Sequence, residues 1–404
     1  MITKKSFRDF DFGIFGITFS LLAIGLLAVY STTYLEGHQI FIKQVIWIVL
    51  GILIAGLFYL IPLRFWSGFS GVFYLISIIL LILVLFIGND AHGVRRWFEL
   101  GPIRFQPSEI AKLGTLLLLA SFLSNKKFQI TRLRNLTLPL LIVFIPFILV
   151  LLEPDAGTSL IFLFLGILML FYKGGPLIYL FIVISPVLAL VCGAHWIALL
   201  VFMLVVGVVF YFTRLPLNEF IPAILVNLVV GVMHPIFWSH LKPYQRARIA
   251  GFLFPSQDPQ GTGWQILQSK IAIGSGGLFG KGVLKGTQKG FDFLPEVHTD
   301  FVFSAIGEEF GFFGCLLVLV CFFLLIWEGI KIAKTSRADF NSFLGIGIVG
   351  VLGFQIFINV GMTTGITPVI GAPLPFISYG GSSMMVSLIT IGLLLNVAKH
   401  RYEY

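Results

Sequence analysis

The feature that most constrains this chain is a succession of apolar runs of near-bilayer length, joined by short polar connections. A hydrocarbon layer about 30 Å thick takes a helix of roughly twenty apolar residues, and no lipid-facing backbone amide can be left unpaired there. Reading for such runs gives about twelve helices, over 12–30, 42–61, 70–87, 110–123, 136–152, 158–172, 177–192, 196–212, 220–238, 301–326, 343–360 and 384–398. The expected class is therefore an all-α polytopic membrane protein forming one integral-membrane domain over 1–404. Composition agrees: 58% of the 404 residues are hydrophobic and 11% charged, with a mean hydropathy of +1.00. Soluble domains carry about a quarter charged residues, so a soluble fold is excluded. The first run is too long for a signal segment and lacks a small-residue cleavage site, so it is expected to stay as a span.

The basic residues carry topology rather than a nucleic-acid patch, because they are scattered between apolar runs. One set of alternate connections holds Lys4, Lys5, Arg8, Arg64, Lys126, Lys127, Arg132, Arg134, Lys173, Arg214, Lys331, Lys334, Arg337, Lys399 and Arg401. The short loops of the other set hold only Lys43, Arg95, Arg96 and Arg104. Positive residues stay on the cytoplasmic side, so both termini are expected there. Cys192, Cys315 and Cys321 lie inside apolar runs with no CxxC pair and read as small core residues.

Three segments break the pattern and all fall outside: 88–108, the long loop 239–299 between spans nine and ten, and the Gly-, Pro-, Ser- and Thr-rich 361–383. Function is expected where they meet. The long loop carries Lys242, Arg246, Arg248, Lys270, Lys281, Lys285 and Lys289, which fit either a solvated loop or an anion site for a phosphate or pyrophosphate. Its Gly274–Gly282 stretch mimics a nucleotide-binding loop but has Ser275 at the first required glycine and Gly282 at the required hydroxyl. A flexible turn near lipid headgroups is the better reading.

Glu109 and Lys112 stand one helical turn apart at the outer start of the fourth run. They form either a structural ion pair or a polar cavity wall with Lys112 turned to a phosphate. Asp155, in Glu153-Pro154-Asp155-Ala156-Gly157-Thr158, suits a helix cap as well as a site. His298-Thr299-Asp300 ends the long loop just before an apolar helix, so Asp300 is a candidate N-cap and a candidate general base. Glu308 and Glu309, between Gly307 and Gly311, are expected to face the bundle interior.

At these motifs the chain resembles the SEDS family (shape, elongation, division, sporulation). The matching stretches are His92-Gly93-Val94-Arg95-Arg96-Trp97, Gln106-Pro107-Ser108-Glu109-Ile110-Ala111-Lys112 and Pro154-Asp155-Ala156-Gly157-Thr158. Further on come Lys242-Pro243-Tyr244-Gln245-Arg246, the stretch from Gln268 to Gly277, Phe293 to Phe301 with Gly307-Glu308-Glu309, and Ile377 to Ser383. Gly280-Lys281-Gly282 and Gly286-Thr287-Gln288 are more similar to the elongation branch, called RodA, than to the division paralogue, FtsW.

The resemblance implies a glycosyltransferase that polymerises lipid II. It also implies Asp300 as the base, with Glu109 and Lys112 lining the same cavity. The expected substrate-binding set is Glu109, Lys112, Arg96, Asp155, Lys270, Lys281, His298 and Ser383, with no protein-held metal. Implied partners are lipid II, the undecaprenyl-pyrophosphate-linked glycan, a class B penicillin-binding protein and other elongation-complex membrane proteins.

The donor outside the cell arrives on a lipid diphosphate. Lys112 with Arg96, Lys270 or Lys281, alone or with a divalent cation (Mg or Mn), is expected to stabilise that leaving group. Gly380-Gly381 is expected to let the backbone approach a bulky substrate. Family members commonly have ten spans, and the surplus pair here lies within 176–216. The rivals are a lipid II flippase and a non-catalytic scaffold. A flippase favours polar residues at the midplane and repeated halves, whereas here the ionisable residues gather at the outer edge.

Overall fold

The computed structural model describes residues 11–34, 37–91, 94–101, 103–253, 262–286 and 297–403. Its helices are α1 (Phe12–Thr33), α2 (Gln39–Leu60), α3 (Leu63–Ile87), α4 (Pro107–Leu123), α5 (Thr137–Leu152), α6 (Ala156–Tyr172), α7 (Leu177–Cys192) and α8 (Trp196–Phe212). They continue as α9 (Leu217–Val232), α10 (His234–His240), α11 (Pro243–Leu253), α12 (Thr262–Ser275), α13 (Val302–Thr335), α14 (Asp339–Thr364) and α15 (Gly381–Lys399). Every one of the twelve apolar runs falls on a helix. Seven of these helices are long and apolar enough to cross a membrane, and α9 with α10, bent by 48°, makes an eighth. The helices α6, α7 and α8 are apolar but shorter.

Burial orders the bundle. In α14 and α15, 78% and 83% of the apolar window is buried, against 17% and 22% in α2 and α3. The pair α14–α15 is therefore the centre, and α2 and α3 present Leu, Ile and Phe outward, as a lipid-facing surface requires. The helix α15 packs along α2, while α14 packs against α13, α6 and α4.

The all-α architecture carries one small sheet that the apolar runs do not announce. Strands β1 (Asn89–Ala91), β2 (Val94–Leu100) and β3 (Ile103–Phe105) pair antiparallel in that order, ahead of α4. Gly101, at φ +66, turns β2 back towards β3, a conformation that glycine adopts without a Cβ clash.

The long outer loop is also more structured than a connector. Ile266 and Ala272 of α12 form a second buried cluster with Val297, Phe301, Ala305, Met362 and Val369. That cluster seats α12 over the start of α13 and the end of α14. Residues His92 and Gly93 and the stretch Phe293 to Glu296, which carry part of the resemblance, lie outside the described residues, as do Lys4, Lys5, Arg8 and Lys289.

The glycine-rich turn expected to be flexible is instead pinned. Helix α13 breaks at Gly311 (φ 67, ψ −159), which leaves amides and carbonyls without their helical partners. The turn after α12 supplies them. Phe312 N donates to Gly277 O (2.8 Å) and Phe313 N to Leu278 O (3.2 Å). Lys281 N and Gly282 N donate to the carbonyls of Glu308 and Glu309, each at 3.0 Å. A Cβ on Gly280 would stand 2.1 Å from Glu309 O, so the close approach requires glycine there.

Candidate active site

The three segments 88–108, 239–299 and 361–383 do meet, and hydrogen bonds hold them together. Tyr379 N donates to His298 O (2.8 Å), and Ser378 Oγ donates to Thr299 O (2.5 Å). Ser378 Oγ in turn accepts from Leu374 N (2.8 Å), and Gln44 Nε2 of α2 donates to Ser378 O (3.2 Å). The segment 297–300 is thus stitched to 374–379 before α13 begins. The rings of His298 and Tyr379 sit 5.6 Å apart. Burial pushes the Tyr379 phenol above its ordinary range, with Arg104 pulling the other way.

Asp300 is not the cap of α13. The N-cap position is Phe301, which makes no side-chain cap bond. The capping that the sequence offered to Asp300 is met by the backbone, with Ser304 N donating to Phe301 O (3.0 Å). The Asp300 backbone is fixed instead by Asn359 of α14, whose Nδ2 donates to Asp300 O (3.0 Å) and Ala372 O (2.7 Å). Its carboxylate lies over Gly371: a Cβ there would come 3.3 Å from Asp300 Oδ2. Gly371 has φ +70, so the turn itself calls for glycine.

The next residue group adjoins that turn. Ile370 O lies where a Cβ of Gly157 would fall, at 2.8 Å, which packs the start of α6 directly against 370–371. Asp155 caps α6: Oδ1 accepts from Thr158 N (3.0 Å), and Oδ2 accepts from Thr158 Oγ1 (3.0 Å) and Gln106 Nε2 (3.1 Å). Of the two readings of Asp155, the cap is the one seen. Arg96 of β2 clamps the same turn, its guanidinium donating to the carbonyls of Glu153 (2.7 Å) and Pro154. In this arrangement Arg96 holds the α5–α6 turn.

Gln106 joins this turn to the start of α4. Pro107 opens the helix, where its missing amide costs nothing, and Glu109 follows in the first turn. Lys112 Nζ donates to Glu109 Oε1 at 2.8 Å, with both side chains almost wholly buried. The pair tops a small cavity between α4, α14 and α15, whose other polar walls are Gln355, Ser387 and Thr390. Gln106 N donates to Ser382 Oγ (3.1 Å), and Ser382 Oγ donates to Arg104 O (3.3 Å). Ser382 thus ties the segments, and Ser383 is half-buried beside it. Gly381 is occupied too: a Cβ there would meet the Trp47 indole at 2.5 Å, so its smallness serves Trp47 rather than a substrate.

Two expected cations stand apart. Lys281 Nζ donates to Glu308 Oε1 (2.7 Å), and Ser31 Oγ of α1 donates to Glu309 Oε1 (2.5 Å). Both glutamates are buried inward as expected, but they serve the break in α13. Lys270 is exposed on α12 with its side chain over Gly365 at the end of α14.

One residue at the site was quoted in the sequence but given no role. Glu153 is 1% exposed, and neither side-chain oxygen has a hydrogen-bond partner among the described residues. Burial, then Asp155, pushes its carboxyl up to about 9, against a pull from Arg96. The signal was two carboxylates flanking a proline at the end of an apolar run, where charge is costly. Among the described residues no three of His, Cys, Asp and Glu converge as metal ligands.

Comparison with known proteins gives a consistent answer over the whole chain. The sequence model of the FtsW/RodA/SpoVE family, described as cell cycle protein, matches residues 12–200 and 197–403. The peptidoglycan glycosyltransferase MrdB of Escherichia coli K12 is 36% identical over 404 residues, covering 98% of this chain and 96% of its own length. Stage V sporulation protein E of Bacillus subtilis is 36% identical over 410 residues, covering 99% of each. Among solved structures, a chain from a peptidoglycan synthase complex described as coordinating polymerization and crosslinking aligns with a TM-score of 0.73 at 32% identity, covering 98% of this chain and 99% of its own. The rod shape determining protein RodA of Thermus thermophilus aligns at 0.65 and 28%, covering 98% of each.

Proposed function

The chain belongs to the FtsW/RodA/SpoVE family, and from that premise we propose that it is a peptidoglycan glycosyltransferase of the bacterial cytoplasmic membrane. It joins lipid II units into glycan strands on the outer face. The observation that carries the catalytic part is the placement of the Asp300 carboxylate over Gly371, where the segment 297–300 is bonded to 374–379.

The chemistry follows from the donor. An acceptor sugar hydroxyl attacks the anomeric carbon of the lipid-linked sugar, and its proton passes to the Asp300 carboxylate. The bond between that carbon and the diphosphate oxygen breaks with inversion, and the lipid diphosphate leaves. Negative charge grows on the leaving group, so a cation in a dry site lowers the barrier. Lys112, buried and paired with Glu109, is the cation proposed for that role, and its burial supports the reading.

Elongation is the finer reading, supported by Gly280-Lys281-Gly282 and by the likeness to MrdB and RodA. The equal identity to the sporulation protein makes it a proposal rather than a reading of similarity alone. Twelve crossings with both termini in the cytoplasm, and a class B penicillin-binding protein as partner, belong to the same proposal. The partner is supported by the synthase complex among the structural relatives. The test is reconstitution of the purified chain with lipid II, alone and with the penicillin-binding partner. Strands of growing length are expected; lipid II moved across the bilayer without polymer would make it a transporter instead.

A further inference from the structure

The end of α4 away from Glu109 carries a second constructed site. There the chain passes from α4 to α5 through residues 124–136, around an open cavity of about 630 Å³. Lys127 and Arg134 line it, no carboxylate does, and Phe122, Phe128 and Leu138 form its apolar flank. Neither cation is in a salt bridge among the described residues. Two other helices, together with α4, hold the segment in shape. Leu133 N donates to Glu219 Oε1 of α9 (3.2 Å), and Tyr179 OH of α7 donates to Thr131 O (3.3 Å). Asn135 Nδ2 donates to Gln129 O (2.8 Å), and the Phe128 ring stacks edge-on against Phe122 of α4 at 4.8 Å.

We infer that this cavity binds the phosphate headgroup of an anionic phospholipid in the inner leaflet. Two cations on a fixed loop supply the charge-assisted hydrogen bonds that a phosphate accepts. The apolar flank runs onto exposed Leu138 at the start of α5, where an acyl chain would continue along the helix. A free phosphate has no use for that flank. Basic pockets between helix ends on the cytoplasmic side are the recurring form of such sites, and this end of the bundle also carries Lys126, Arg132 and Lys173. The inference rests on the proposed orientation and not on the catalytic reading.

The test is lipid retention by the purified full chain under native mass spectrometry, after equilibration with phosphatidylglycerol or phosphatidylcholine. Wild type is expected to keep one more phosphatidylglycerol than the Lys127→Gln/Arg134→Gln variant, with at least a tenfold weaker apparent affinity in the variant. Both side chains are exposed, so the variant should melt with the wild type and polymerise lipid II in neutral detergent at the same rate. Equal retention by variant and wild type, or equal retention of phosphatidylcholine, would overturn the inference. Displacement of the lipid by an equal concentration of inorganic phosphate would assign the site to a soluble anion and overturn it as well.

Discussion

Replacing Glu153 by glutamine isolates the one carboxyl outside the spans that is buried with no hydrogen-bond partner among the described residues. Burial, reinforced by Asp155, lifts its pKa from 4.5 to about 9. An unfolded chain releases this proton near the ordinary value, so between those two pH values the folded protein holds a proton that the unfolded one has lost. Stability from this group is whole below pH 4.5 and drains away as pH rises towards 9. The slope is about 1.4 kcal/mol per pH unit. From about pH 5.5 to about pH 8 the wild type should therefore lose about 3 kcal/mol that the Glu153→Gln variant does not. The amide also leaves buried polar atoms unpaired, but that cost does not change with pH, so the slope is the diagnostic quantity. Unfolding midpoints in mixed micelles with increasing dodecyl sulfate, measured across that range, read it directly. Parallel midpoints for the two proteins would refute the reasoning and mean that the carboxyl is solvated or ionised.

Three further outcomes follow from the site and its supports. Lys112→Met leaves Glu109 charged and alone in a buried position, at a cost of about 3–5 kcal/mol, while Glu109→Gln with Lys112→Met should recover most of it; the same unfolding assay ranks the three proteins. Gly371→Ala forces a side chain into a left-handed turn at about 1–2 kcal/mol and crowds Asp300 Oδ2. Strand formation should fall on the order of tenfold with only a small drop in melting temperature. Gly280→Ala pushes a methyl into Glu309 O and should free the 276–286 turn from the break in α13, seen as new protease cleavage there.

The helices were legible because the bilayer dictates one length for every span, and a run of apolar residues records it without reference to its neighbours. Meeting of the outer segments was legible for a similar reason, since glycine, proline and hydroxyl residues do not belong in hydrocarbon. Partner choice was not. Lys281 and Glu308 are 27 residues apart, and nothing local marks a lysine in a basic loop as the mate of a buried carboxylate. Gly381 looks like room for a ligand until Trp47, far away in the chain, fills it. Asp155 and Arg96 also hold a helix start and a carbonyl, contacts set by the packing of the α5–α6 turn that nothing local in the sequence marks. The β1–β3 hairpins escaped because β1 and β3, of three residues each, have too short an alternation to stand out.

The most direct measurement is the rate at which purified Asp300→Asn protein builds strands from lipid II, set beside wild type in the same detergent with matched melting curves. The substitution keeps the shape of the side chain and removes its basicity. A rate lower by about 10²–10⁴-fold, from a protein that still binds lipid II, is expected of a lost general base. Strands formed at the wild-type rate would contradict the placement of the chemistry on this carboxylate.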